Sequence, residues 1–291
     1  MIASIPQDRV SATAGGVAFF ALLSVFPALA TVVSLYGLFA DVSTISRHLT
    51  VLSGILPRGV LDLLGQEMTR IAGQSTHTLG AAFLVSFSIA FWSANSGVVA
   101  LFDALNVIYK EREKRTLVRL YATTFLFTLG AMGFGVAAIT TVVAIPLIMG
   151  FLGLSSFADR LVSIARWPVL LVLVVFGLGL VYRFGPSRRK AKWRWVTWGS
   201  ALATLLWMLG SMLFSWYVAS FDSYNRTYGS LGTGVGFMTW MWLSIVIVLL
   251  GAELNSEMER QTARDTTEGQ PKPLGARQAF AADTIGKSIG H

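Results

Sequence analysis

Six long apolar runs dominate this chain, at about 14–40, 79–102, 120–146, 168–182, 196–221 and 233–252. A bilayer core needs roughly 20 apolar residues in helical form. The runs meet or approach that length, and the charged residues fall between them. Charged residues make up only 13% of the chain and hydrophobic residues 54%. Ordinary soluble domains carry about 25% charge. So little charge cannot cover a globular surface, and so apolar a chain is not disordered or nucleic-acid-coating. The expected fold is all-α, a polytopic membrane bundle of six transmembrane helices within residues 1–260.

The runs differ in detail. Pro168 opens the short fourth span and suits a first helical position, where the missing N–H would be unpaired anyway. The third apolar run continues to about residue 151, longer than a bilayer needs. It is expected to break at Pro146, whose ring removes a helical hydrogen bond. Arg9, the following apolar run and Ala28-Leu29-Ala30 imitate a signal peptide with its cleavage site. The run continues to Ala40, too long for a signal core, so a retained first helix is expected.

Charge sets the topology. Of 23 Lys and Arg residues, 17 lie on the N-terminus, the second and fourth loops and the C-terminal tail; 6 lie on the other three loops. The positive-inside rule then places both termini in the cytoplasm of a bacterial inner membrane. The same rule accounts for the net charge of +8 without invoking nucleic acid. Trp193, Trp195 and Trp198 at one end of the fifth span, with Trp216 and Tyr217 at the other, read as interfacial anchors.

The first loop, about 41–78, is patterned. Val42, Ile45, Leu49, Leu52 and Ile55 recur at helical spacing, as do Val60, Leu64, Met68 and Ile71 after Pro57. Two amphipathic helices on the outer side are expected there. Beyond residue 260 the chain turns polar, with Gly269, Pro271, Pro273 and Gly275. A disordered cytoplasmic tail over 261–291 is expected.

There is no cysteine, which excludes a disulfide framework and thiol chemistry. The three histidines (His48, His77, His291) are far apart, and His48 and His77 are expected to be solvated in the first loop. No metal or cofactor motif occurs, so no cofactor is expected.

Polar groups at membrane depth are the first candidates for function. Asn95 and Asn106 are close to three helical turns apart and share a helix face, with Asp103 to one side. They form a candidate polar lining with Glu253 and Asn255. Glu253 sits in the last turn of the sixth span, opposed to the helix dipole, and calls for a cationic partner. Arg226, Gly229 and Gly232 lie before and within a glycine-rich entry to the sixth span. They are candidates for anion contact, and Gly232 and Gly236 also form a GxxxG packing pattern. Arg183, Arg188 and Arg189 sit in an aromatic, basic loop suited to anionic headgroups.

At these residues the chain resembles the YihY/BrkB family of bacterial inner-membrane proteins. The resemblance rests on Trp92-Ser93-Ala94-Asn95, Phe102-Asp103-Ala104-Leu105-Asn106 and Tyr182-Arg183-Phe184-Gly185-Pro186. It extends to Tyr224-Asn225-Arg226-Thr227-Tyr228-Gly229-Ser230-Leu231-Gly232 and Gly251-Ala252-Glu253-Leu254-Asn255. It implies six transmembrane helices and a role in transport or lipid handling rather than catalysis. The family once carried a ribonuclease label and includes serum-resistance virulence factors; the resemblance supplies no catalytic residues. The expected partners are membrane lipids and an unnamed small-molecule or lipid cargo, not nucleic acid. The alternatives are a membrane-bound ribonuclease and an envelope scaffold.

Overall fold

The computed structural model describes residues 10–39, 76–141, 156–220 and 230–286. Six long helices account for most of them: α1 (Val10–Phe39), α2 (Thr76–Ile108), α3 (Leu117–Ile139), α4 (Ser156–Phe184), α5 (Trp193–Ser220) and α6 (Ser230–Arg260). A single short turn of helix, α7 (Phe280–Asp283), follows. All six long helices are long and apolar enough to cross a membrane. Their flanks leave large apolar side chains uncovered, such as Val118 at 82%, Trp216 at 69% and Leu126 at 68% exposed. In water such surface would drive aggregation; in lipid it is the expected state.

Two proline positions show how the apolar setting changes the rules. Pro27 lies inside α1 and Pro168 inside α4. The expectation that Pro168 opens its helix is therefore corrected: α4 begins twelve residues earlier, at Ser156. Membrane helices tolerate interior proline where neighbouring groups satisfy the freed backbone. The helix also outruns the apolar stretch, which starts at Trp167. α2 likewise starts before its apolar run and takes in His77, which was expected in the loop. α1 runs unbroken through Ala28-Leu29-Ala30. Pro146 and the two expected loop helices lie outside the described residues.

The described residues fall into two compact units. The larger contains residues 10–17, 98–141, 156–220 and 239–286 of the described chain. Its core packs Leu105, Tyr109, Tyr182, Val196, Leu249 and Ala252. There α5 and α6 run antiparallel. The Trp207 indole donates to Ser244 Oγ (3.0 Å), and the Trp240 indole donates to Ser211 Oγ (3.3 Å). Lower down, Gly199 and Gly251 let the two backbones meet. A methyl group added at Gly251 would stand 2.5 Å from the Tyr182 hydroxyl and 2.7 Å from the Gly199 carbonyl. Hydroxyls at membrane depth satisfy themselves on the preceding turn, as Thr128 does on Thr124 O and Ser200 on Val196 O.

The smaller unit takes its described residues from 18–39, 76–97 and 230–238. Thr31 and Ser86 hydroxyls bridge α1 and α2 at 3.2 Å. Phe83, Phe87 and Phe91 stack along α2 at one-turn spacing. Methyl groups added at Gly234 or Gly236 would meet nothing within 4 Å. Among the described residues, the close glycine contact expected at the GxxxG pattern is not made at Gly236. It occurs instead between Gly199 and Gly251.

The tail expectation is corrected for residues 261–286. This segment is folded, with Thr266, Thr267, Arg277, Ala281 and Ala282 buried. It pairs with the loop between α4 and α5: Lys192 N donates to Thr266 O and Glu268 N to Lys190 O, both at 2.9 Å. Arg277 holds the segment's own turns together. Its guanidinium donates to the carbonyls of Ala263 (2.7 Å), Arg264 (3.2 Å), Lys272 (3.1 Å) and Ala282 (2.7 Å). Asp265 accepts from the backbone of Thr267 and Lys272 and from the Thr267 hydroxyl. Burial pushes the Asp265 carboxyl up, but these donors prevail and hold it below its ordinary range. The glycines that suggested disorder serve turns: Gly269 and Gly275 have φ of +89° and +87°.

Candidate functional site

The polar residues of the larger unit gather at the end where α2, α4 and α6 finish and α3 and α5 begin. α2 closes in a Schellman motif. Lys110, at φ +54°, takes the left-handed position; its N–H reaches Val107 O (3.0 Å), and Glu111 N reaches Asn106 O (2.8 Å). This turn sends residues 111–115 back under the helix ends.

Asn106 is the hinge of the first network. Buried at 4% exposure, it accepts from Ser187 N at 2.7 Å and donates to Glu113 at 3.0 Å. Glu113 also receives the Arg115 side chain at 2.7–2.8 Å. Burial pushes the Glu113 carboxyl up, but the donors of Arg115 and Asn106 override it and bring it to about 2. Arg115 continues to the carbonyls of Phe184 (3.1 Å) and Gly185 (2.7 Å), covering carbonyls at the end of α4.

The second network is a buried ion pair. Arg188 and Glu259 meet bidentately at 2.7 and 2.9 Å, and both side chains are fully buried. The Thr266 hydroxyl adds a third bond to Glu259 at 2.8 Å. The Arg188 guanidinium lies 4.1 Å over the Tyr109 ring. Burial opposes the charge on Arg188, but Glu259 prevails and raises its pKa above the ordinary arginine value. Burial pushes the Tyr109 hydroxyl up, so it stays a neutral phenol.

Asn255 joins α5 to α6: it accepts from Gly199 N (2.8 Å) and donates to Val196 O (3.3 Å), fully buried. Glu253 is buried at 2%. Asn95 is buried at 1%, but in the smaller unit. Asp103 is exposed on α2 and takes no part in these networks. Gly232 lies in the first turn of α6; Arg226 and Gly229 lie outside the described residues.

Between the networks is a cavity of about 900 Å³ at the start of α3 and the end of α4. Arg183, Arg188 and Arg189 all line it. Arg115, Arg119, Lys114 and Lys190 join them, and among the described residues no Asp or Glu lines it. Arg183 is ion-paired to Glu268 and stacked at 4.6 Å on Trp193. Lys190 sits 4.7 Å over Phe184. Gln278 closes one side of the cavity, and its carbonyl accepts from Arg189 N at 3.2 Å.

Sequence reasoning missed Glu113, Arg115, Glu259, Glu268 and Arg277. One signal for Glu259 was available: it lies one helical turn beyond Asn255 and so shares its face. Arg277 and Glu268 lay in the segment read as disordered.

Six apolar spanning helices with a polar, cation-rich end define a polytopic membrane protein. The chain matches the Virulence factor BrkB family over residues 1–275 and belongs to it. It is 31% identical to a ribonuclease-like protein YfkH of Bacillus subtilis, over 84% of this chain and 88% of that protein. It is 28% identical to a UPF0761 membrane protein of Idiomarina loihiensis, over 92% of this chain and 90% of that one. A UPF0761 membrane protein of Vibrio parahaemolyticus is 26% identical, over 90% and 81% of the respective chains. No solved structure matches this chain.

Proposed function

We propose that this protein handles an anionic lipid or small-molecule cargo at the bacterial inner membrane, with both termini in the cytoplasm. The observation that carries the reading is the cavity at the ends of the spans, lined among the described residues by seven Lys or Arg side chains and no carboxylate. Cations in low-dielectric walls concentrate anions. The cavity lies where the α3 span begins at Leu117 and the α4 span ends at Phe184. Headgroups lie at that level. The excess of Lys and Arg on alternate loops supports a cytoplasmic position for this end.

A nuclease reading has less support. Glu113, Glu257, Glu259 and Glu268 are each committed to an arginine. Carboxylates so engaged are arranged for structure rather than for holding catalytic ions. The name of the Bacillus relative describes that protein.

The test is translocation in proteoliposomes with labelled anionic and zwitterionic lipids, alongside Asn95→Ala and Asn106→Ala. Protein-dependent movement of anionic lipid that falls in correctly folded Asn95→Ala or Asn106→Ala protein would support the reading. Lack of movement of any lipid would remove the lipid version.

A further inference from the structure

We propose that the cationic cavity is a binding site for a phosphate group, held by Arg119, Arg189 and Lys190, with Glu268 competing at its rim. The inference deepens the anionic-cargo reading and rests on it for the membrane setting. Of the lining cations, Lys114, Arg115, Arg183 and Arg188 each have a carboxylate partner. Arg119, Arg189 and Lys190 have none among the described residues. Three like charges around one cavity repel one another, and an anion placed among them relieves that repulsion.

Unused donors point the same way. Arg183 Nε and Nη1 and Arg189 Nη1 are buried without hydrogen-bond partners among the described residues. Arg183 is itself only 7% exposed as a side chain. A buried donor left unpaired costs about 1–3 kcal/mol. Guanidinium forks match phosphate oxygens in number and geometry, which is the reason arginine predominates in such sites.

Size and position narrow the ligand class. About 900 Å³ is far more than a bare phosphate fills, and it falls within the range of organic ligand pockets. A phosphate ester, with its alcohol portion accommodated beside it, fits. Phe184 lines the cavity, and Trp193 flanks it through Arg183 at the beginning of the α5 span. Glu268 is half exposed and takes Arg183. It places the protein's own anion where an incoming phosphate would otherwise bind.

The experiment uses the full chain in neutral detergent. The soluble arm titrates inorganic phosphate and glycerol 3-phosphate by calorimetry. The lipid arm compares phosphatidylglycerol with phosphatidylcholine adducts by native mass spectrometry. Arg119 and Lys190 are exposed, so Arg119→Gln/Lys190→Gln leaves the fold intact. Loss of two charge-assisted contacts is expected to weaken binding roughly tenfold or more. Glu268→Gln is expected to tighten it several-fold. Arg112→Gln, an exposed cation that does not line the cavity, should bind as the parent does.

Binding in the soluble arm assigns a free phosphate ester; binding of phosphatidylglycerol alone assigns a lipid headgroup. Either supports the site. Absence of binding in both arms overturns it. So does unchanged affinity in the double variant, or an equal loss in Arg112→Gln. Phosphate binding without lipid movement would retire the lipid-translocation reading and keep the site. Movement with unaltered binding in the double variant would do the reverse.

Discussion

Glu259→Gln is a change of one atom, yet it should be among the most damaging substitutions in the chain. Glutamine keeps the shape and one acceptor but removes the charge that faces Arg188. The guanidinium stays fully buried, and an arginine is too weak an acid to shed its proton instead. Removing one partner of a buried pair costs about 3–5 kcal/mol, because the other charge is left uncompensated. The Thr266 hydroxyl and the Tyr109 ring soften the loss without replacing the charge. We therefore expect Glu259→Gln to lose at least about 3 kcal/mol, measured by denaturant unfolding in detergent or by steric trapping in bicelles. The matched control is Glu257→Gln, whose pair with Arg260 is one-fifth exposed on each side and three residues apart. That pair should be worth less than about 1 kcal/mol. A double replacement, Arg188→Met with Glu259→Leu, should recover much of the loss, because no charge is then buried alone. If Glu259→Gln matches Glu257→Gln, or the double variant is worse than the single, the buried-pair account is wrong.

Other consequences follow from the same geometry. Gly251→Ala should destabilise by about 1–3 kcal/mol, since the new methyl meets Tyr182, the Gly199 backbone and Ala203 within 2.8 Å. Gly234→Ala, with open space around it, should be neutral or stabilising by up to about 1 kcal/mol; thermal unfolding in detergent separates the two. Glu113 has a folded pKa of about 2, below its ordinary 4.5. The unfolded chain thus takes up the proton first. The stability Glu113 contributes is full above the ordinary value and is lost as pH falls toward 2. Unfolding free energies across that window should show a loss of about 1 kcal/mol after solvent screening. Glu113→Gln should flatten that part of the profile. Arg277→Lys should loosen residues 261–286, because one ammonium cannot reach four carbonyls; hydrogen exchange should rise there while the spans stay protected.

The six spans were legible because lipid imposes one requirement on every residue of a helix. Hydropathy therefore reports the element directly. The interior of the larger unit was less so. Asn106, Asn255 and Glu253 were found because polarity is conspicuous at the end of a span. The backbone partners of Asn106 and Asn255 were not, because Ser187, Val196 and Gly199 contribute main-chain groups, which carry no sequence signature. Asp103 shows the converse: a carboxylate at the span edge that simply faces outward. The segment 261–286 was misread because glycine and proline mark both turns and disorder. Arg277 decides between them only once the chain has folded around it. The Gly199–Gly251 contact escaped notice since neither residue belongs to a spaced pair within its own helix.

The antiparallel pairing of residues 190–192 with 266–268 has a consequence for how the protein is made. Synthesis runs from the N-terminus, so Arg188 enters the cell well before Glu259, and Glu268 follows later still. Through that interval the basic loop has no carboxylates from α6 or the C-terminal segment, and its charges stay hydrated at the membrane surface. Helices α1 to α5 can be inserted while the cationic end is still unfinished. Residues from Glu259 onward are the ones that complete it. A chain that stops before Glu259 lacks the buried partner of Arg188 and the segment that pairs with residues 190–192, so its cationic end stays hydrated.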